Sequence, residues 1–165
     1  MHMDDAPPSS LDEPLPVGRQ AWQQALREGL AAPGPAWCMY SPDYADWPLH
    51  EVAVVDALRA WAVGRRRPCV RMLGRDFDAL IRFAPRFVAW RRQFGHLIEC
   101  RALPETVAAP DECLLLDGRG WIAKPVQRGR AGLRCSARGW RLAGERFDAA
   151  WGDAHPAFAP DVVGL

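Results

Sequence analysis

The chain has 165 residues, of which 49% are hydrophobic and 25% charged, and its formal net charge is +1. This length suits one domain with one core, and this balance is typical of a globular protein rather than a disordered or fibrous one. No apolar run approaches the roughly 20 residues that span a bilayer. The N-terminus has neither a basic start nor an apolar stretch, so we expect a cytoplasmic protein that does not insert into membranes.

The first 16 residues combine acidic side chains with four prolines. Such a segment has too few apolar side chains for a core and too many prolines for a regular element. We therefore predict a disordered acidic tail over residues 1–16, followed by a single α/β domain over residues 17–165.

Apolar side chains at helical spacing predict the first elements of that domain. Trp22, Leu26 and Leu30 recur every four residues and indicate a helix that ends at Pro33-Gly34-Pro35. Because proline fits the first turn of a helix but not its interior, Pro85 should separate two helices and begin the second. The other predicted elements of this half are strands over 36–40 and 69–74 and a long helix around 54–62.

The second half is predicted to begin with a strand over 96–103. A hairpin follows, with strands over 112–116 and 121–126 joined by a turn at Asp117-Gly118, and then a strand over 131–137 and a helix over 140–151. Strands that alternate with helices are typical of right-handed crossovers. We therefore expect a mixed, largely parallel β-sheet with helices on both faces.

The cysteines and histidines of the chain are scattered, and no pair of cysteines has the C-x-x-C spacing of a zinc site. Thiols within apolar runs usually act as small buried hydrophobic groups. The sequence therefore predicts no metal and no cofactor. The five cysteines are Cys38, Cys69, Cys100, Cys113 and Cys135.

From Trp37 onward, the order of strands and helices resembles one half of a phospholipase D-like domain. The similarity includes the segment 112–123 and a closing helix that carries Phe147 and Trp151. The signature of that family is H-x-K-x-x-x-x-D followed by glycine. Its histidine attacks phosphorus, its lysine binds phosphate and its aspartate supports them. When Asp117-Gly118 is placed on the end of the signature, Pro110 stands at the histidine and Glu112 at the lysine.

These two replacements remove the chemistry that the resemblance would otherwise imply. Proline has no nucleophilic side chain, and glutamate repels the phosphate that lysine would bind. We therefore expect a degenerate, non-catalytic phospholipase D-like half, a pseudoenzyme that acts by binding or assembly. Because members of the family pair two such halves, the resemblance also implies a homodimer. A protein partner is a further possibility.

Two enzymatic alternatives remain open. His50 begins a predicted helix close to Asp46 and Glu51, where acidic groups could assist acid-base catalysis or simply suit the helix dipole. The segment 126–133 is similar to the coenzyme A loop of acetyltransferases, although valine stands at its leading position and no helical pattern follows.

A third alternative rests on the arginines, which are concentrated in the second and third parts of the chain. They either decorate solvated faces or converge into a basic surface that binds phosphate or nucleic acid. The candidate anion-binding residues are Arg65, Arg66, Arg67, Arg71, Arg128 and Arg130.

Overall fold

The computed structural model describes residues 11–127 and 129–160. Within these residues the helices are α1 (Arg19–Ala31), α2 (Val52–Ala62), α3 (Asp78–Phe83), α4 (Pro85–Gln93) and α5 (Ala137–Gly152). A short 3-10 helix, Pro48–His50, precedes α2. The strands are β1 (Glu13–Pro14), β2 (Trp37–Tyr40), β3 (Val70–Gly74), β4 (Ile98–Ala102), β5 (Glu112–Leu115), β6 (Gly120–Val126), β7 (Gly129–Arg134) and β8 (His155–Pro156).

Local sequence signals account for the bounds of the helices. Trp22, Leu26 and Leu30 of α1 are all buried, as their spacing predicts, and the helix ends just before Pro33. The predicted break is also confirmed, since α3 ends at Phe83 and Pro85 is the first residue of α4. None of the described helices is long and apolar enough to cross a membrane.

The strands form one sheet in the order β1-β7-β6-β5-β2-β3-β4-β8. Only the pairings of β2 with β3 and of β3 with β4 are parallel, and the other five are antiparallel. The prediction of a largely parallel sheet is therefore wrong. Two adjacent parallel strands need a long crossover connection between them. Helix α2 provides it between β2 and β3, and the α3–α4 pair provides it between β3 and β4. The short turns between β5, β6 and β7 instead require antiparallel pairing.

Helices cover both faces of this sheet because successive side chains of a strand point to opposite sides. Met39 of β2 belongs to the larger core cluster, which includes buried side chains of α1, α2 and α4. Its neighbours Cys38 and Tyr40 belong to the second cluster, with Phe147 of α5. All four residues of β2 are buried, and the middle of the sheet therefore lies inside the protein.

Part of the predicted N-terminal tail is ordered in the structure. Glu13 and Pro14 pair with Arg134 and Leu133 of β7. An oxygen of the Asp12 carboxylate accepts hydrogen bonds from the backbone N–H (2.7 Å) and the hydroxyl (2.9 Å) of Ser136, the residue that caps α5. The end of the acidic segment is thus attached to the sheet and to α5, which differs from the predicted disorder up to residue 16. Residues 1–10 lie outside the described part of the chain.

Candidate functional site

Two of the three motif positions line one cavity of about 660 Å³. Pro110 and Glu112 lie on its wall together with Tyr40, the last residue of β2, and Arg75, the first residue after β3. This is the carboxyl edge of the parallel strands, where open α/β sheets usually bind ligands. We call this space the carboxyl-edge cavity. Asp117 is not part of it, because it lies in the hairpin turn at the opposite end of β5 and lines a different cavity.

Glu112 is held in this wall by a cluster of polar contacts. One carboxylate oxygen accepts a hydrogen bond from Nε of Arg130 (2.5 Å), and the other accepts one from Nε1 of Trp47 (2.9 Å). Arg130 also donates through Nη1 to the carboxylate of Asp46. The Glu112 side chain is only 9% exposed. We call Glu112, Arg130, Asp46 and Trp47 the Glu112 cluster.

The electrostatics of this cluster are balanced around Arg130. Burial lowers the pKa of Arg130, but hydrogen bonds and charge interactions with Asp46 and Glu112 outweigh it and hold the pKa above its ordinary value. The guanidinium group therefore stays charged and faces two carboxylates. Since its charge is already compensated, Arg130 is poorly suited to bind an external anion.

Sequence reasoning missed Arg75, Tyr40 and Lys124, which also line the carboxyl-edge cavity. Arg75 donates through Nη1 to the carbonyl oxygen of Pro104 (2.7 Å) and through Nη2 to that of Val107 (2.9 Å). Burial raises the pKa of Tyr40, although Arg75 opposes this effect, and the phenol is therefore neutral at pH 7. A residue at or just beyond the carboxyl end of a predicted parallel strand was the signal that could have identified Tyr40 and Arg75.

The described part of the cavity wall offers hydrogen-bond donors, cations and the carboxylates of Asp111 and Glu112, but no histidine and no accessible thiolate. Cys113, on the strand that begins at this wall, is buried, and burial raises its pKa well above the ordinary value. Burial likewise raises the pKa of Cys38 and of Cys135 to about 12. These thiols are protonated at neutral pH and make poor nucleophiles. Among the described residues, no group of three or more His, Cys, Asp or Glu side chains could hold a metal ion.

The acid-base cluster considered around His50 is not assembled in the structure. His50 is exposed at the end of the 3-10 helix, whereas Asp46 pairs with Arg130. Glu51 accepts two hydrogen bonds of 2.8 Å from Arg27, and the hydrogen bonding lowers the pKa of Glu51. Each acidic group near His50 therefore has another partner.

Of the segment compared with a coenzyme A loop, Val126 is the last residue of β6 and the residues from Gly129 to Leu133 belong to β7. A pyrophosphate site of that kind needs the free backbone N–H groups at the start of a helix. The residues from Gly129 to Arg134 instead pair with β6. The structure therefore does not support the coenzyme A alternative.

The six candidate anion-binding arginines do not form one patch. Arg65, Arg66 and Arg67 lie in the loop between α2 and β3, at the amino edge of the parallel strands, whereas Arg130 lies at the carboxyl edge. Arg71 pairs with Asp148 of α5 (2.8 Å), and its guanidinium lies over the ring of Phe147. Arg128 lies outside the described residues.

The fold places this protein in a structural class that includes phospholipase D-like domains. It is similar to Nuc of Salmonella typhimurium, a phospholipase D family member, with a TM-score of 0.58 and 12% identity over 91% of this chain and 98% of Nuc. It is also similar to TrmBL2, described as an archaeal chromatin protein with a novel mode of DNA binding, with a TM-score of 0.64 and 14% identity. That match covers 90% of this chain but only 56% of TrmBL2.

The family is shown by the sequence itself. Residues 31–159 match the domain of unknown function DUF7931, and the chain belongs to this family. No curated protein matches the sequence.

Proposed function

We propose that the chain is a non-catalytic phospholipase D-like module that acts by binding. The observation that carries this proposal is the composition of the carboxyl-edge cavity. The two positions that would supply the nucleophile and the phosphate-binding lysine are Pro110 and Glu112, and both line the cavity. Glu112 is not free to act as a base toward a ligand either, because both of its oxygens already accept hydrogen bonds.

The remaining groups of the cavity are suited to hold a ligand rather than to transform it. Arg75 is oriented by two backbone carbonyl groups, and it has no carboxylate partner among the described residues. Lys124 is exposed on the same wall. A ligand with an anionic group would therefore meet Arg75 and Lys124, neither of which forms an ion pair with a described carboxylate, beside the neutral phenol of Tyr40. The Asp111 carboxylate on the same wall favours a ligand that also carries a hydrogen-bond donor.

The absence of phosphodiesterase activity is the first expected result. Purified protein incubated with bis-p-nitrophenyl phosphate at pH 7 should release no p-nitrophenolate above the buffer blank, because Pro110 stands where the family signature has the histidine that attacks phosphorus and no described histidine lines the cavity. The His50→Ala variant should give the same trace. A commercial phosphodiesterase in the same assay serves as the positive control. Turnover by the unaltered protein that His50→Ala removes would contradict the proposal and identify a hydrolase.

Self-association belongs to the same proposal, because the resemblance to phospholipase D-like domains, which pair two such halves, implies a homodimer. Two large apolar side chains of the short helix α3, Phe83 and Ile81, are 70% and 41% exposed. Paired copies would bury them. Light scattering at micromolar concentration should give a dimer, and Phe83→Ser should shift the distribution toward monomer. A monomeric unaltered protein at that concentration would remove this part of the proposal.

Binding of DNA is a second candidate function. TrmBL2, which shares the fold, is described as binding DNA, and Arg66 and Arg67 of this chain are exposed. Phosphate contacts through arginine and lysine provide most of the sequence-independent affinity of proteins for DNA.

A further inference from the structure

Three arginines of the loop after α2 and one arginine of the last turn of α4 lie toward the amino edge of the parallel strands. Helices α2 and α4 both lead back toward the start of the next parallel strand, and α2 packs against α4. Their following loops are in contact, because Nε2 of His96 lies 3.3 Å from the carbonyl oxygen of Arg65 and the Cys69 N–H donates to the Leu97 carbonyl (2.9 Å). The fold thus brings together residues that are far apart in sequence. We call Arg65, Arg66, Arg67, Arg92 and His96 the arginine edge.

Three of the four arginines of the arginine edge have no side-chain partner within the described part of the fold. Arg66, Arg67 and Arg92 are exposed, and no described side chain forms a hydrogen bond or ion pair with them. Arg65 is the one that the fold orients, since its guanidinium lies 4.4 Å from the centre of the Trp61 ring and its Nε donates to the Trp61 carbonyl oxygen (2.8 Å). Neighbouring like charges repel each other, and an external polyanion would relieve that repulsion.

Acidic side chains near these arginines in sequence are engaged elsewhere. Between residues 65 and 101 the acids are Asp76, Asp78 and Glu99. Asp76 and Asp78 lie at the start of α3, beyond the opposite end of β3, and Asp76 accepts a hydrogen bond there from the Asp78 N–H (2.8 Å). Glu99 is paired with Arg101 (2.9 Å). The acids closest in sequence to the arginine edge therefore form no ion pair with Arg66, Arg67 or Arg92.

The chemistry of this surface favours a dense array of phosphates. Its cations are all arginine, whose planar guanidinium can bind a phosphate through two hydrogen bonds. Duplex DNA carries roughly one negative charge per 1.7 Å of its length, so that a compact group of cations gains most from it. A membrane surface would also need apolar side chains to insert. Val63 is the one large exposed apolar residue described close to these arginines in sequence.

We propose that the arginine edge binds the phosphate backbone of duplex DNA without reading its sequence. The inference adds a binding surface to the second candidate function and is independent of the carboxyl-edge cavity. It differs from the arginine set expected from the sequence. Arg71 and Arg130 are excluded because each pairs with a carboxylate, and Arg92 is added.

The test compares two double variants of equal charge. Fluorescence anisotropy with a labelled duplex of arbitrary sequence should show that the full chain binds DNA. This binding should weaken as the salt concentration rises from about 50 to about 200 mM. Arg66→Met with Arg67→Met should weaken binding about tenfold and reduce the salt slope by about 2, since two phosphate contacts are lost. Arg138→Met with Arg146→Met, at exposed positions of α5, should leave affinity within about twofold of the unaltered protein.

Each other outcome contradicts the inference in a distinguishable way. Duplex binding that the two double variants weaken equally would overturn the arginine edge but leave DNA binding by the chain in place. No binding to duplex DNA would overturn both. Binding to vesicles with about one-third phosphatidylserine, without binding to DNA, would show a membrane surface instead. Unchanged thermal unfolding of both double variants confirms that they are folded, and the exposure of the replaced side chains leads us to expect it.

Discussion

Replacing Arg130 with methionine should lower the free energy of unfolding by about 3 kcal/mol at pH 7. The guanidinium group joins Glu112 to Asp46 across β5, β7 and the loop before α2. Without it, Glu112 keeps no described cation partner and Asp46 keeps only the exposed Arg19, whose Nε lies 3.7 Å from its carboxylate. Removal of one partner from a partly buried ion pair costs far more than loss of an exposed pair. Urea unfolding followed by circular dichroism measures the change.

A second substitution separates electrostatics from packing. Glu112→Gln removes one of the two negative charges, so Arg130→Met should cost less free energy of unfolding in the Glu112→Gln protein than in the unaltered protein. Arg138→Met, at an exposed arginine of α5, is the matched control and should change stability by less than about 0.5 kcal/mol. An Arg130→Met loss of equal size with and without Glu112→Gln would mean that lost packing, not charge, is responsible.

The same substitution should have opposite effects at two helical glycines. A Cβ atom on Gly29 of α1 would lie 2.7 Å from the side chains of both Leu114 and Trp121, within the buried contact between α1 and the sheet. A Cβ atom on Gly144 of α5 would meet nothing within 4 Å. We expect Gly29→Ala to destabilise the protein by about 2 kcal/mol, because overpacking outweighs the better helix propensity of alanine.

Gly144→Ala should instead stabilise the protein by about 0.5–1 kcal/mol, because alanine loses less backbone entropy in a helix and has open space here. Denaturant unfolding of both variants, analysed with a common slope, gives the comparison. A stabilised Gly29→Ala would show that α1 can move away from Leu114 and Trp121 at little cost.

Local patterns in the sequence determine the helices and strands well, but they do not determine how the strands pair. The break at Pro85 follows from the missing N–H of one residue, and the β5–β6 hairpin follows from a turn that includes Gly118, whose φ is 76°. In contrast, β5 lies beside β2, on the opposite side of the parallel strands from β4. The position of β5 depends on the path of the loop after β4, and no spacing of residues in the sequence predicts that path.

The candidate site shows the same limit. Placing the family signature on Asp117-Gly118 was enough to identify Pro110 and Glu112, two residues of the cavity wall. Their surroundings could not be predicted, because Arg130 and Asp46 are 84 positions apart in the chain and Trp47 and Glu112 are 65 apart. A run of arginines likewise does not reveal that Arg71 points toward Asp148 of α5 while Arg66 stays exposed.

The two outermost strands affect how readily this protein aggregates at high concentration. Both β1 and β8 are only two residues long, and each ends in a proline, Pro14 or Pro156. An edge strand this short, ending in a proline that has no backbone N–H, gives an incoming chain almost no template for growth by added strands. Within residues 11–127 and 129–160 the sheet thus ends on both sides in a short, proline-containing strand, which disfavours fibrillar polymerisation and directs contacts between copies toward the helical layers.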